Sequence, residues 1–276
     1  NYKALKNPIT RRIITKALSS KNCKKILAQS EAAKNDLLKA MDCSKFKDKI
    51  EVLYLAMRPC KEKRPIRKDK KVKISFIGKK FYVKGGQDLI RAYEILTKKY
   101  KNLELKYKGD VTQEYKDPKL PGLKFIEGHF PRNKLFEMMY LDADIFVLPT
   151  HSDNYGVVFL EAMSAGLPIV GTRSFTVPEL IEDGKNGFLI DTQYSWENYI
   201  PYRKDKEFIR DASKEHPEII KQLVEKLSVL IENKGLREKM GKESRKMIEE
   251  GKLSIKERNR KLKKIYEECL SNDNQI

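Results

Sequence analysis

The 276-residue chain carries 58 Lys and Arg against 39 Asp and Glu, a formal net charge of +19, with 40% apolar and 35% charged residues. Its length fits one large domain or two ordinary ones, and eleven Phe, thirteen Tyr and one Trp supply enough apolar bulk to exclude wholesale disorder. No apolar run approaches the roughly 20 residues that span a bilayer, and the amino end lacks the apolar block of a signal peptide, so a cytoplasmic location is expected. Cys23, Cys43, Cys60 and Cys269 are far apart with no C-x-x-C pair. Ordinary reduced thiols are expected rather than a zinc knuckle, a redox motif or a disulfide framework.

At the amino end, Ile9, Ile13, Ile14 and Leu18 stripe a basic helix, Lys25 to Gln29 reads as a strand, Ser30 caps a helix over Glu31 to Met41, and Ile50 to Leu55 is a second strand. Two strands and two helices are too little for an independent core, and the chain begins with Asn. Residues 1–60 are therefore expected to be a remnant of a larger amino-terminal domain. Lysines and arginines outnumber acids by 14 in residues 1–71 but by only 5 in the remainder. The stretch 61–71 has no apolar periodicity and reads as a basic, solvated linker.

Strand-like and helical patterns then alternate. Val72 to Ile77 is a strand, Gln87 to Lys99 a helix, Leu103 to Tyr107 and Leu123 to Ile126 short strands, Arg132 to Tyr140 a helix and Ile145 to Leu148 a buried strand ended by Pro149. A helix over Val157 to Ala165 stops at Gly166, a strand follows over Pro168 to Val170, Thr176 caps a helix over Val177 to Ile181, and Gly187 to Ile190 is another strand. From Pro217 onward the chain reads as helical. Such alternation predicts an α/β fold with a parallel, Rossmann-like sheet covered by helices on both faces. The expected division is a remnant over 1–60, the linker over 61–71, a parallel-sheet domain over 72–253, and a terminal helix over 254–276.

Ligands of open α/β sheets bind at the carboxyl ends of strands, and two loops there carry the chemistry. After Ile77 comes Gly78-Lys79-Lys80-Phe81-Tyr82-Val83-Lys84-Gly85-Gly86, just before a helix. Glycines let the backbone approach an anion, the helix start adds partial positive charge and the lysines add whole charges, which suits a diphosphate. The second loop and helix run Pro149-Thr150-His151-Ser152-Asp153-Asn154-Tyr155-Gly156-Val157-Val158-Phe159-Leu160-Glu161. Backbone N–H groups near Gly156 can hold phosphate, while Glu161, with two acceptor oxygens, suits vicinal sugar hydroxyls or an internal partner.

This second run resembles the E-x7-E signature of retaining GT-B glycosyltransferases of family 4, with Asp153 and Glu161 at the acidic positions. The first loop resembles the same family's G-R-L-x-x-x-K-G, with Lys79 in the place of Arg and Lys84 at the Lys. Val177-Pro178-Glu179-Leu180-Ile181 with Asp183-Gly184-Lys185-Asn186-Gly187 resembles its P-E-L-I-x-D-G-x-N-G segment, and Ile26 to Leu38 is similar to the end of its amino-terminal domain.

The resemblance implies a two-domain, metal-independent enzyme that transfers a sugar with retention from a nucleotide-diphosphate sugar to a saccharide or lipid-linked acceptor. It implies that Gly78, Lys79, Lys84, Gly156, Val157 and Val158 hold the diphosphate, that Asp153, Asn154 and Tyr155 face the donor sugar, that Asp153 and Glu161 are the catalytic acids, with Glu161 on the ribose, and that Phe130 walls the base site. No cofactor is implied. Three departures bear on the donor: Asp153 is shorter than Glu, Lys79 lacks the fork of Arg, and Phe175-Thr176 stands where glycines are usual. With only a fragment of the amino-terminal domain, the chain is expected to bind donor but transfer little sugar.

Other features carry less. Asp142-Ala143-Asp144 has a D-x-D form but opens a strand, so structural acids are expected. The three histidines are isolated in sequence, so no metal site is expected, and His151 reads as a surface-loop residue at least as readily as a catalytic one. The basic amphipathic stretch Ile9 to Leu18 suits packing against the rest of an amino-terminal domain, or else peripheral contact with an anionic membrane. A nucleotide-sugar epimerase would share the donor motifs, and a basic nucleic-acid-binding module would share the charge but lacks any RNA- or DNA-binding motif, so no nucleic-acid partner is expected.

Overall fold

The computed structural model describes residues 7–62, 64–66, 69–116, 120–194 and 205–271, so Lys63, Arg67 and Lys68 of the basic linker lie outside the described residues. At the amino end, α1 (Pro8–Ser19), β1 (Ile26–Ala28), α2 (Glu31–Ala40) and β2 (Ile50–Val52) form a small α/β piece. Strands β1 and β2 are parallel, with Ile26 opposite Ile50. Asn7 caps α1 by accepting from the Ile9 N–H at 2.9 Å, and Ser30 Oγ caps α2, as expected from the sequence, by accepting from the Ala33 N–H at 3.0 Å. Met41, Cys43, Phe46 and Ile50 form its core, against which Ile14 and Leu18 of α1 pack.

The larger domain follows as β3 (Val72–Gly78), α3 (Gly86–Lys99), β4 (Leu103–Gly109), α4 (Gln113–Lys116), β5 (Leu123–Phe125), α5 (Arg132–Phe136), β6 (Ile145–Leu148), α6 (Val157–Ser164), β7 (Ile169–Thr172), α7 (Val177–Leu180) and β8 (Gly187–Ile190). Helices α8 (Asp205–Ala212), α9 (Pro217–Glu232), α10 (Lys234–Glu249) and α11 (Ile255–Ser271) complete it. The sheet runs β5-β4-β3-β6-β7-β8 and every pair is parallel. Ile74, Phe76, Leu105, Ile145, Phe146 and Val147 are wholly buried, because helices cover both faces and α3 and α6 are in turn backed by α9 and α10.

Local readings need three corrections. Helix α5 gives way to a π-helical turn over Glu137–Leu141. Helices α9 and α10 are separate, divided at Asn233, whose side chain accepts from the Leu236 N–H at 2.8 Å. Thr176 does not cap α7: its hydroxyl donates to Asn154 O at 3.2 Å and lies 3.1 Å from Ser30 Oγ.

Helix α7 joins the two pieces. Glu179 accepts from the Glu31 and Ala32 N–H groups, both at 2.8 Å, and from the Tyr54 hydroxyl at 2.9 Å. A carboxylate at the uncompensated start of a helix is favourable twice, through the hydrogen bonds and through the helix dipole. On the far side, Lys25 lies 3.4 Å from Glu268 of α11.

The D-x-D acids are structural. Asp142 accepts from Lys73 Nζ at 2.9 Å and from Lys106 Nζ, and Asp144 accepts from the Lys73 N–H at 2.9 Å. Arg64 donates to Leu141 O and Ala143 O, so the linker is anchored there rather than freely solvated. Burial opposes charge on Asp142, but the hydrogen bonds from Lys106 and Lys73 outweigh it and hold the carboxyl below its usual range. Asp142→Asn should lower the unfolding free energy by about 2 kcal/mol, within the worth of a charge-assisted hydrogen bond. Because the folded pKa is depressed, this contribution is present above the ordinary carboxylate range and lost as pH falls through the depressed value. Thermal denaturation of both forms across pH should show a full gap at neutrality that closes in acid.

Candidate functional site

The sheet order reverses direction between β3 and β6, so the loops that leave these neighbouring strands diverge and open a crevice. The two loops touch at their bases. Gly85 has φ +67°, and a Cβ there would stand 2.0 Å from Pro149 O, so only glycine fits. The His151 N–H donates to Val83 O at 2.9 Å. Above this contact Lys84 Nζ donates to Asp153 Oδ2 and to Ser152 O, both at 2.7 Å, with the two ionic side chains only 19% and 17% exposed. Residues 69 positions apart in the chain thus form one charged pair at the switch point.

Gly156, at φ +78°, precedes α6, and a Cβ there would strike the Phe159 ring at 2.5 Å. No side chain caps this helix, so its start, at Val157 and Val158, keeps the donor character that suits an anion. Asn154 is exposed beside it. Tyr155, expected to face the donor sugar, is turned away: its ring is buried and its hydroxyl donates to Leu55 O at 3.4 Å, in the seam with the amino-terminal piece. Phe175 adopts φ +52°, a left-handed conformation that glycine would adopt without strain.

A cleft of about 700 Å³ at the carboxyl ends of β3, β4 and β5 is lined by Gly78, Lys79, Lys108, Asp110, Glu127 and Phe130, among others. Lys79 is exposed there, and the half-buried Phe130 ring has Lys108 Nζ 5.5 Å and Lys134 Nζ 5.7 Å from its centroid. Asp110 accepts from the Lys80 N–H at 2.9 Å and holds the turn in which Lys80 takes φ +62°. Gly78 and Lys79 therefore share one cleft with Phe130, which is far from them in sequence.

Glu161 lines a neighbouring cavity of about 690 Å³ with Arg58, Glu62, Arg132 and Phe136. Its carboxylate accepts from the Tyr140 hydroxyl at 2.8 Å and from Arg132 Nη2 at 3.1 Å. Burial, with the Glu161 charge beside it, raises the Tyr140 hydroxyl well above its usual pKa, so it remains a proton donor. These internal partners leave lone pairs on both carboxylate oxygens for a further donor.

Sequence reasoning missed five side chains. Tyr140 falls within an apolar helical pattern and Arg132 at a helix start, and neither position carries a signal for Glu161. His151 is not a surface residue but wholly buried, and it meets His216 and Asp88, so the histidines are not all isolated. Burial opposes ionisation of Asp88, but the adjoining His151 and His216 imidazoles outweigh it and lower its pKa, while burial holds His151 below the usual imidazole range. No spacing rule links positions 88, 151 and 216.

A family model described as "Glycosyl transferases group 1" matches residues 58–202. An uncharacterized glycosyltransferase of Haemophilus influenzae is 28% identical over 231 residues, 82% of this chain and 61% of the relative. A D-inositol 3-phosphate glycosyltransferase of Corynebacterium kroppenstedtii is 30% identical over 132 residues, 43% of this chain and 29% of the relative. HepE of Anabaena, solved in complex with UDP and glucose, superposes with a TM-score of 0.65 at 16% identity, over 94% of this chain and 67% of that structure. The chain thus spans less than two thirds of the length of the curated relatives named here.

The Lys84–Asp153 pair can be isolated by a double-mutant cycle. Lys84→Ala strands a carboxylate that is mostly buried, so it should lower the melting temperature more than Asp153→Asn does. The double variant should recover part of the loss, with a coupling of about 1 kcal/mol or more in calorimetry.

Proposed function

Because the chain belongs to the group 1 glycosyltransferases, we propose that it holds a nucleotide-diphosphate sugar in the crevice between the β3 and β6 loops and serves a retaining transfer of that sugar. The observation that carries this reading is the Lys84–Asp153 pair, which sets a cation suited to diphosphate beside an acceptor suited to a sugar hydroxyl, at the start of an uncapped helix. In this reading Lys79, Lys84, the Gly78 backbone and the amides of Gly156, Val157 and Val158 neutralise the diphosphate, so the departing nucleotide is stabilised by protein charge rather than by a divalent ion. Asp153 and Asn154 orient the sugar, Glu161 takes the ribose hydroxyls while Tyr140 and Arg132 fix its carboxylate, and Phe130 stacks on the base. UDP-glucose is the first donor to test, since HepE was solved with UDP and glucose. The acceptor is a saccharide or a lipid-linked saccharide.

We further propose that the protein works at the cytoplasmic side of an anionic membrane. No described helix is long and apolar enough to cross a bilayer. Helix α1, however, leaves Ile9 and Ile13 largely exposed beside Arg12 and Lys16, a short amphipathic face suited to a headgroup interface.

A thermal-shift panel of nucleotide-sugars should show stabilisation by at least one of them, because only ligands of the folded state raise the melting temperature; no stabilisation by any would reject the donor site. In calorimetry with the best ligand, Glu161→Ala should weaken binding about tenfold or more, the worth of a charge-assisted hydrogen bond. Lys84→Ala should reduce affinity for the nucleoside diphosphate far more than for the nucleoside, and salt should narrow that difference. Equal losses would remove Lys84 from the diphosphate.

Liposome flotation at low salt should favour anionic vesicles and lose that preference in Ile13→Glu. Indifference to lipid charge would exclude the membrane contact.

A further inference from the structure

Beneath the donor loops lies a buried cluster that the donor reading does not use. Asp88 belongs to the first turn of α3, His151 follows β6, and His216 immediately precedes α9. Asp88 and His151 are wholly buried, His216 is 7% exposed, and one ligand-type atom from each lies within 4.8 Å of the others. His216 Nδ1 is 3.0 Å from Asp88 Oδ1, and its Nε2 is 2.9 Å from the Tyr194 hydroxyl, both in hydrogen-bonding geometry. The third contact differs. His151 Nε2 approaches Asp88 Oδ2 to 2.9 Å, yet neither atom makes a hydrogen bond of acceptable geometry, and His151 Nδ1 has no partner either.

Buried polar atoms without partners are costly and uncommon. Close approach without hydrogen-bond alignment is what two ligands directed at a common cation produce, since donors on a tetrahedral ion with bonds of about 2.0–2.1 Å stand about 3.3 Å apart. Two imidazoles and one carboxylate form a donor set of borderline softness, which suits zinc and neighbouring divalent transition metals rather than magnesium. Tyr194 and His216 also line a cleft of about 900 Å³, which provides a route of entry and a source of water for a fourth ligand.

We propose that Asp88, His151 and His216 bind a divalent transition-metal ion that staples the two donor loops to the start of α9. Asp88 lies four residues after Lys84 and His151 two residues before Asp153, so the ion would sit beneath the Lys84–Asp153 pair and hold both loop bases. It is a structural site, and its occupancy does not depend on a nucleotide.

The test uses the full 276-residue chain, stripped with a chelator and then supplied with Zn²⁺, Co²⁺ or Mg²⁺. One equivalent of Zn²⁺ should raise the melting temperature, and Co²⁺ should develop a visible d–d band without a thiolate charge-transfer band, while Mg²⁺ does neither. His151→Asn and His216→Asn should abolish the band and weaken zinc affinity about a hundredfold, at least as much as loss of an outer-shell partner does elsewhere. X-ray absorption on the zinc-loaded wild type, which needs no variant to fold, should show two imidazoles, oxygen ligands and no sulfur. No stabilisation with no band, a thiolate signature that moves the ion to the cysteines, an imidazole count other than two, or a band that survives in folded His151→Asn would each overturn the proposal.

Discussion

Gly85 and the Pro149 carbonyl meet with no space for a side chain between them, and the site is built on that contact. Parallel strands send their following loops to the same end of the sheet, but only at the reversal between β3 and β6 do neighbouring loops diverge far enough to leave a crevice. Holding their bases together lets Lys84 reach Asp153 at 2.7 Å, and it sets the start of α6 beside the same charges. The pair has two sides. It stabilises a carboxylate that is mostly buried, and it keeps a cation and an acceptor in one fixed relation before any ligand arrives, which reduces the ordering that binding must impose.

The remaining charge of this basic chain is divided between structure and surface. Lys73 and Lys106 are largely buried because each has the Asp142 carboxylate as a partner, and Arg64 ties the linker to the same corner. Lys79 and Lys108, by contrast, line the open cleft beside Phe130. At the other end of the site, Glu179 fastens the small amino-terminal piece by filling two donors of α2. Thr176, just before the same short helix, touches both Ser30 and the backbone of Asn154 in the loop after β6. Through this helix the position of the small piece and that of the loop after β6 are mechanically linked.

Much of this architecture can be read from local patterns. The β3, β6 and β8 strands announce themselves as apolar runs bounded by glycine or proline, and the helix starts at Ser30 and Gly156 follow from capping chemistry and from the freedom of glycine. The loop motifs around Lys79, Lys84, Asp153 and Glu161 are contiguous in sequence, so their chemistry and their resemblance to a family could be recognised before any folding was considered. Backbone preference and hydrophobic period are properties of neighbours along the chain, and for that reason they survive in a linear text.

Pairings across the fold do not. That Lys84 neutralises Asp153, that Tyr140 and Arg132 hold Glu161, that Tyr155 faces the seam with the amino-terminal piece, and that His151 is buried against Asp88 and His216 all depend on which loops the sheet order brings together. A histidine in a polar loop looks solvent-exposed until the packing of α3 and α9 closes over it. An acid and two histidines separated by more than sixty residues each carry no mutual spacing. Electrostatic and hydrogen-bond partnership is set by distance in space, which only the packed α/β sandwich supplies.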